Sequence, residues 1–158
     1  MADNIQLEIV NRRDFVLGAS AVAALATLTT LGSGEAFAKA SWQDSLKAMI
    51  GDAKPAEGKV ALDLPEIAEN GNTVPFTVTA DSPMSADDHV KALHVFATGN
   101  PEPHVASLYF TPESGKATVT SRMRLGKTQD VVAVAEMSNG KFYMGKRQVK
   151  VTIGGCGG

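Results

Sequence analysis

The sequence predicts an all-β domain, a two-sheet antiparallel sandwich preceded by one short helix and followed by a flexible C-terminal arm. Three observations carry this. Apolar residues recur with a period of two in seven runs between Lys59 and Ile153. Gly, Pro and Asn-Gly turn signals separate those runs at short intervals. Aromatic residues make up only 6% of the chain while glycines number 15, a balance that suits short strands and tight turns better than a helix bundle. Seven short strands in about a hundred residues make the sandwich immunoglobulin-like in architecture. With one cysteine in the chain it has no inter-sheet disulfide, and Trp42 precedes the strands.

The first 38 residues are set apart from the fold. Arg12-Arg13-Asp14-Phe15 precedes a small-residue apolar stretch from Val16 to Leu31, and Ala36-Phe37-Ala38 supplies a cleavage site that places the mature start at Lys39. Thr27, Thr29, Thr30 and Gly32 interrupt the stretch, which is too short and weak for a spanning helix, so no membrane anchor is expected. The paired arginines with Phe15 two places on resemble a twin-arginine signal, although Asn11 stands where Ser or Thr is usual and no Lys follows. That resemblance implies export of a folded protein to the periplasm.

From Lys39 the chain reads as one domain to residue 153. Ser41 caps a short helix with Leu46, Met49 and Ile50 as its apolar stripe, and Gly51 ends it. Asp52 to Gly58 is a linker containing Pro55. The expected strands are 59–64, 73–80, 90–98, 105–111, 116–125, 129–137 and 141–153, with Asn70-Gly71 and Asn139-Gly140 as hairpin signals.

Charge is balanced but polarised. Residues 39–115 carry 5 basic and 11 acidic side chains, and residues 116–158 carry 8 basic and 2 acidic. The formal net charge of −2 gives no general attraction to nucleic acid. The basic C-terminal third is either a solvated face or a surface for anionic ligands and acidic partners.

The chain ends Gly154-Gly155-Cys156-Gly157-Gly158. Glycine places little restriction on φ and ψ and adds no side chain, so the segment reads as a thin arm. At 3.3–3.6 Å per extended residue, Cys156 stands roughly 10 Å beyond Ile153. Burial of a cysteine among four glycines is implausible, and an intrachain disulfide is impossible. An odd cysteine in an exported protein points to intermolecular pairing or a reactive free thiol. A thiol of ordinary pKa near 8.5 is only about a few per cent ionised at neutral pH, so activation must come from elsewhere.

A Gly-Gly-Cys-Gly-Gly terminus after Val149-Lys-Val-Thr-Ile153 and behind a twin-arginine signal resembles the SoxY family of thiosulfate oxidation. The resemblance implies that Cys156 is the covalent attachment site and that Gly154, Gly155, Gly157 and Gly158 form a swinging arm. It also implies an Ig-like carrier paired with a SoxZ-type subunit as a heterodimer. A haem c enzyme would join thiosulfate oxidatively to the cysteine, a hydrolase would release sulfate, and another enzyme would oxidise the sulfane sulfur left behind. On that reading the chain is a substrate handle, not an enzyme, and holds no cofactor.

Three rival readings draw on the same residues. A terminal Gly-Gly also ends ubiquitin-like carriers that bear a thiocarboxylate on the last glycine, but those are activated in the cytosol. A copper site of the cupredoxin kind needs His and Met soon after the cysteine, and only two glycines follow Cys156. His89, His94 and His104 have spacings that match no compact ligand motif, so no metal is expected. Lastly, Cys156 could serve solely as an intermolecular disulfide tether. No P-loop, dinucleotide fingerprint, CxxC or nucleophile elbow is present, and Asp87-Asp88-His89 reads as a solvated loop.

Overall fold

Alternating apolar runs need partners on both edges and a cover on one face, and a computed structural model describing residues 41–155 supplies both. Nine strands follow helix α1 (Trp42–Ile50): β1 (Ala56–Glu57), β2 (Val60–Asp63), β3 (Ile67–Asn70), β4 (Val74–Ala80), β5 (Val90–Ala97), β6 (His104–Tyr109), β7 (Ala117–Met123), β8 (Gln129–Met137) and β9 (Phe142–Ile153). The larger sheet runs β1-β9-β8-β5-β6, with β3 also paired to β9, and the smaller runs β2-β4-β7. Neighbours are antiparallel except that β1 and β3 each lie parallel to β9.

The two sheets bury one core. Val74, Phe76 and Val78 of β4 belong to the same cluster as Leu93 and Val95 of β5, Val131, Ala133 and Ala135 of β8, and Val149 of β9. Each fully buried Val or Leu contributes about 1.5–3 kcal/mol of apolar burial. The outward residues of β4 and β7 are threonines that pair across the strands, Thr77 with Thr120 at 2.9 Å and Thr79 with Thr118 at 3.2 Å.

The larger sheet is apolar on its outer face too, and α1 covers it. Phe96 of β5 and Val132 and Val134 of β8 form a second cluster with Leu46, flanked by Trp42, Ile50, Phe142 and Met144. The Trp42 and Phe96 rings lie 6.4 Å apart. Ser41 Oγ accepts the Asp44 N–H at 3.1 Å, capping the helix, and Gly51 closes it at φ 66°.

Several expectations are corrected here. Nine strands replace seven. Ala56–Glu57 falls inside the expected linker and is too short to show a period. Ile67–Asn70 buries only Ala68, so no alternation marks it. The helical stripe is Trp42, Leu46 and Ile50 at four-residue spacing, while Met49 is 38% exposed. Asn139-Gly140 does form the β8–β9 hairpin, with Gly140 at φ 77°. Asn70-Gly71 instead carries the chain from the larger sheet to the smaller one. Asp87-Asp88-His89 is less solvated than expected: Asp88 and His89 are half-buried, and His89 and Ser138 bind each other through the His89 N–H and carbonyl. The expected export signal, residues 1–38, lies outside the described residues. Among those described, no helix is long and apolar enough to cross a membrane.

Leu46→Ala should weaken helix docking by about 2–5 kcal/mol. Trp42 is the single tryptophan, so in a urea titration its fluorescence should shift before the β-sheet circular dichroism is lost.

Candidate functional site

The site is built by the overhang of β9. Its residues 142–149 pair with β8, from Glu136↔Phe142 to Gln129↔Val149. Beyond Val149 the neighbour β8 has ended, and the last four residues are held on the other side by β3, with Ile67↔Lys150, Ala68↔Val151 and Asn70↔Ile153. Side chains add to this. Thr128 Oγ1 accepts the Val151 N–H at 2.9 Å, and Thr152 Oγ1 donates to the Glu69 carbonyl at 2.9 Å.

After Ile153 the chain passes into a junction of three backbones. The Gly71 N–H donates to the Ile153 carbonyl at 2.7 Å, the Leu125 N–H to the Gly71 carbonyl at 2.8 Å, and the Gly155 N–H to the Leu125 carbonyl at 3.0 Å. Gly71, Leu125 and Gly155 are all buried. A Cβ on Gly71 would stand 2.1 Å from the Leu125 oxygen and 2.6 Å from the Gly155 nitrogen. One on Gly155 would meet the Gly71 oxygen at 2.7 Å, and one on Gly154 the Gly126 oxygen at 2.2 Å. Gly71 has no positive φ, so close approach and not turn geometry requires its glycine.

At the root of the expected arm, Gly154 and Gly155 lie against backbone of the sandwich, and Gly155 is hydrogen-bonded to Leu125. Cys156, Gly157 and Gly158 lie outside the described residues, and Cys156 is the next residue after the seated Gly155. Sequence reasoning misses Gly71, Leu125 and Gly126 as parts of this site. Gly71 and Gly126 stand in turn-like contexts, and nothing in one sequence separates a glycine needed for close packing from one needed for a turn.

Basic residues lie near the junction in sequence. Arg124 and Lys127 flank Leu125 and Gly126, and Lys150 lies on the β9 overhang, all three exposed. None of the three has an ion-pair partner among the described residues, whereas Lys146 faces Asp130 at 3.6 Å and Arg147 faces Glu66 at 3.8 Å. Ile153, at the end of β9, is 68% exposed.

The histidines take other roles. His94 Nδ1 and His104 Nε2 both hydrogen-bond Ser107 Oγ, at 2.8 and 3.0 Å, and the His104 ring lies 5.7 Å from Phe96. His89 Nδ1 sits 3.1 Å from the Ser85 carbonyl oxygen. Among the described residues no three His, Cys, Asp or Glu side chains form a group that could hold a metal. Burial pushes the His94 pKa below the ordinary imidazole value, Glu136 partly opposes this, and His104 adds to it.

Fold and site together define an immunoglobulin-like β-sandwich whose longest strand is followed, two residues on, by a backbone-seated glycine directly before the single cysteine. The family model described as "Sulfur oxidation protein SoxY" matches residues 46–156, which takes in both the sandwich and the cysteine. The chain belongs to the SoxY family. The structure is similar to that of the sulfur carrier protein SoxY from Chlorobium limicola f thiosulfatophilum, with 36% identity, 72% of this chain and 97% of that chain covered, and a TM-score of 0.61. It is also similar to a superoxide reductase (neelaredoxin) from Ignicoccus hospitalis, at 17% identity, 60% and 80% coverage and TM-score 0.52. A putative superoxide reductase from Thermotoga maritima follows at 18% identity, 62% and 87% coverage and TM-score 0.51. The likeness to the two reductases is one of fold alone. No curated protein matches the chain.

The lowered His94 pKa has a consequence for stability. The unfolded imidazole, near pKa 6.5, binds its proton before the folded one does, so stability falls as pH drops from about 6.5 toward the folded value and is level above it. Thermal unfolding followed across that window should show the decline, and His94→Gln should flatten it.

Proposed function

We propose that the chain is a periplasmic sulfur carrier that holds thiosulfate-derived sulfur covalently on Cys156 and presents it to partner enzymes. The observation that carries this is the SoxY match, which runs through residue 156 and so takes in the single cysteine, next in sequence after the backbone-bonded Gly155. In the loading step the Cys156 sulfur bonds to the sulfane sulfur of thiosulfate. The thiol proton leaves, and two electrons pass to a haem c enzyme as oxidant. Hydrolysis of the terminal sulfonate then consumes one water and releases sulfate and two protons, leaving a persulfide anion on Cys156. Another enzyme of the pathway oxidises that remaining sulfur. The chain itself acts as the handle, not as an enzyme, and needs no cofactor.

Export by the twin-arginine route supports the periplasmic assignment, through Arg12, Arg13 and Phe15. It also suits export of a folded heterodimer with a SoxZ-type subunit that has no signal of its own. Edge strands β6 and β7 leave one side of each sheet unpaired, and Tyr109 on β6 is 78% exposed. The partner's contact belongs on the sandwich, clear of Cys156.

Protein isolated without reductant from cells growing on thiosulfate should show intact-mass additions that map to the C-terminal peptide and vanish on reduction. Cys156→Ser should abolish loading with unchanged thermal unfolding. A uniformly unmodified thiol would overturn the carrier reading, and a permanently disulfide-linked dimer would favour the tether. Separately, the mature domain mixed with a SoxZ-type subunit should run as a heterodimer in light scattering. A monomer that ignores the subunit yet still loads sulfur would retire the partner assignment alone.

A further inference from the structure

We infer that His94, Ser107 and His104 form a pH-sensitive clasp, which holds the edge strand β6 to β5 at neutral pH and releases it in acid. The clasp is independent of the carrier reading, and only its use rests on that reading.

The three side chains meet where β5 and β6 pair. His94 stands opposite Ser107 in the ladder, and Phe96 opposite His104. One hydroxyl serves both rings, with Ser107 Oγ 2.8 Å from His94 Nδ1 and 3.0 Å from His104 Nε2. A hydroxyl has one proton, so it donates to one neutral imidazole while it accepts the N–H of the other. Both rings are then satisfied without charge. Once both are protonated, both facing nitrogens are donors and the hydroxyl proton must turn away. Two cations then lie across a single oxygen atom. His94 is only 5% exposed, so water and salt screen that pair poorly.

The surroundings do little to neutralise a second charge. Glu136 of β8 is the carboxylate that acts on His94, and it is already paired with Lys91. From α1 this face receives Leu46, while Asp44 accepts from Ser41 and Lys47 pairs with Asp52. From β9 it receives Phe142 and Met144, and Lys146 is turned to Asp130. On β6 itself Tyr109 lies opposite Ala92, and the exposed Glu102 precedes His104 by two residues.

The strand that gives way is β6. It pairs with β5 alone, whereas β5 is held by β6 on one side and β8 on the other. Its residues 104–108 are no more than half-buried. Val105 is an unmatched extra residue, because Phe96 pairs with His104 and Val95 with Ala106. Such a strand opens locally at less cost than the strands inside the sheet. In the opened strand His94 is an ordinary imidazole near pKa 6.5, which takes its proton before the clasped ring does. Opening is therefore favoured as pH falls below about 6.5 and is level above it. On the carrier reading each hydrolysis releases two protons, and β6 is one of the open edges offered to the partner subunit. Acid made by the chemistry then loosens that edge.

Hydrogen exchange of the full chain, followed by mass spectrometry and corrected for the intrinsic effect of pH, tests the clasp. Peptides covering residues 104–109 should exchange up to about tenfold faster at pH about 5.5 than at about 7.5, while those covering β4 and β8 keep their rates. His94→Gln keeps a polar group toward Ser107 but removes the titration, and should make exchange in β6 independent of pH. His104→Gln keeps the buried ring and removes the second charge. It should move the opening to lower pH, even if His94→Gln folds poorly. Equal corrected rates at the two pH values would overturn the clasp, as would a loss of protection shared by β4, β6 and β8. No readout here involves sulfur, so failure of the clasp leaves the carrier reading standing, and an unloaded Cys156 leaves the clasp standing.

Discussion

The register of the β8–β9 hairpin is the constraint on which the rest of the molecule depends. Asn139-Gly140 sets it, and from Glu136↔Phe142 to Gln129↔Val149 every pair follows. A slip of one residue would turn Val149 out of the core and reverse the faces of β9. It would also shift the overhang against β3, because Asn70 meets Ile153 and the Gly71 N–H binds the Ile153 carbonyl. Cys156 is three residues further on. The place of Ile153, the last strand residue, is thus decided in the hydrophobic core, by a turn at the opposite end of the same strand.

Much of this is legible in the residues, for physical reasons that differ between elements. The strand Gln129–Met137 matches its sequence-based expectation at both ends, because turn signals bound a run of β-branched residues. That run also breaks the period of two: Val131 to Ala135 are apolar without interruption, and all are buried. A strand of that kind needs cover on both faces, and the amphipathic helix supplies the second. The short strand Ile67–Asn70 is illegible because its stabilisation comes from parallel pairing with β9 and from Thr152, not from its own side chains. Yet it is the element that holds the overhang. For the site, the cysteine and its glycines are visible as a pattern, while the partners of Gly71 and Gly155 belong to segments that nothing local in the sequence relates.

Glycine serves two separate physical ends in this chain. At Gly51, Gly58, Gly115 and Gly140 it provides a positive φ that other residues adopt at a cost. At Gly71, Gly154 and Gly155 it provides the absence of a Cβ, and the backbones pack where a side chain would stand. The second use resembles a core more than a hinge. A glycine-rich terminus is therefore no direct measure of freedom, since the same composition gives mobility in open space and close packing against other backbone.

The described residues nearest the chain end form a backbone junction. The groups described at the junction are peptide N–H and C=O dipoles engaged with one another. The histidines lie elsewhere, with His94 and His104 turned to Ser107 on β6. What the surface offers instead is positive charge at Arg124, Lys127 and Lys150, which acts on any anion through distance and screening without recognising its shape. On the proposed carrier reading, in which the cargo changes oxidation state while attached, that lack of discrimination is an advantage. A sulfonate and a persulfide are both anions, and a site built to fit either one would hold back the other.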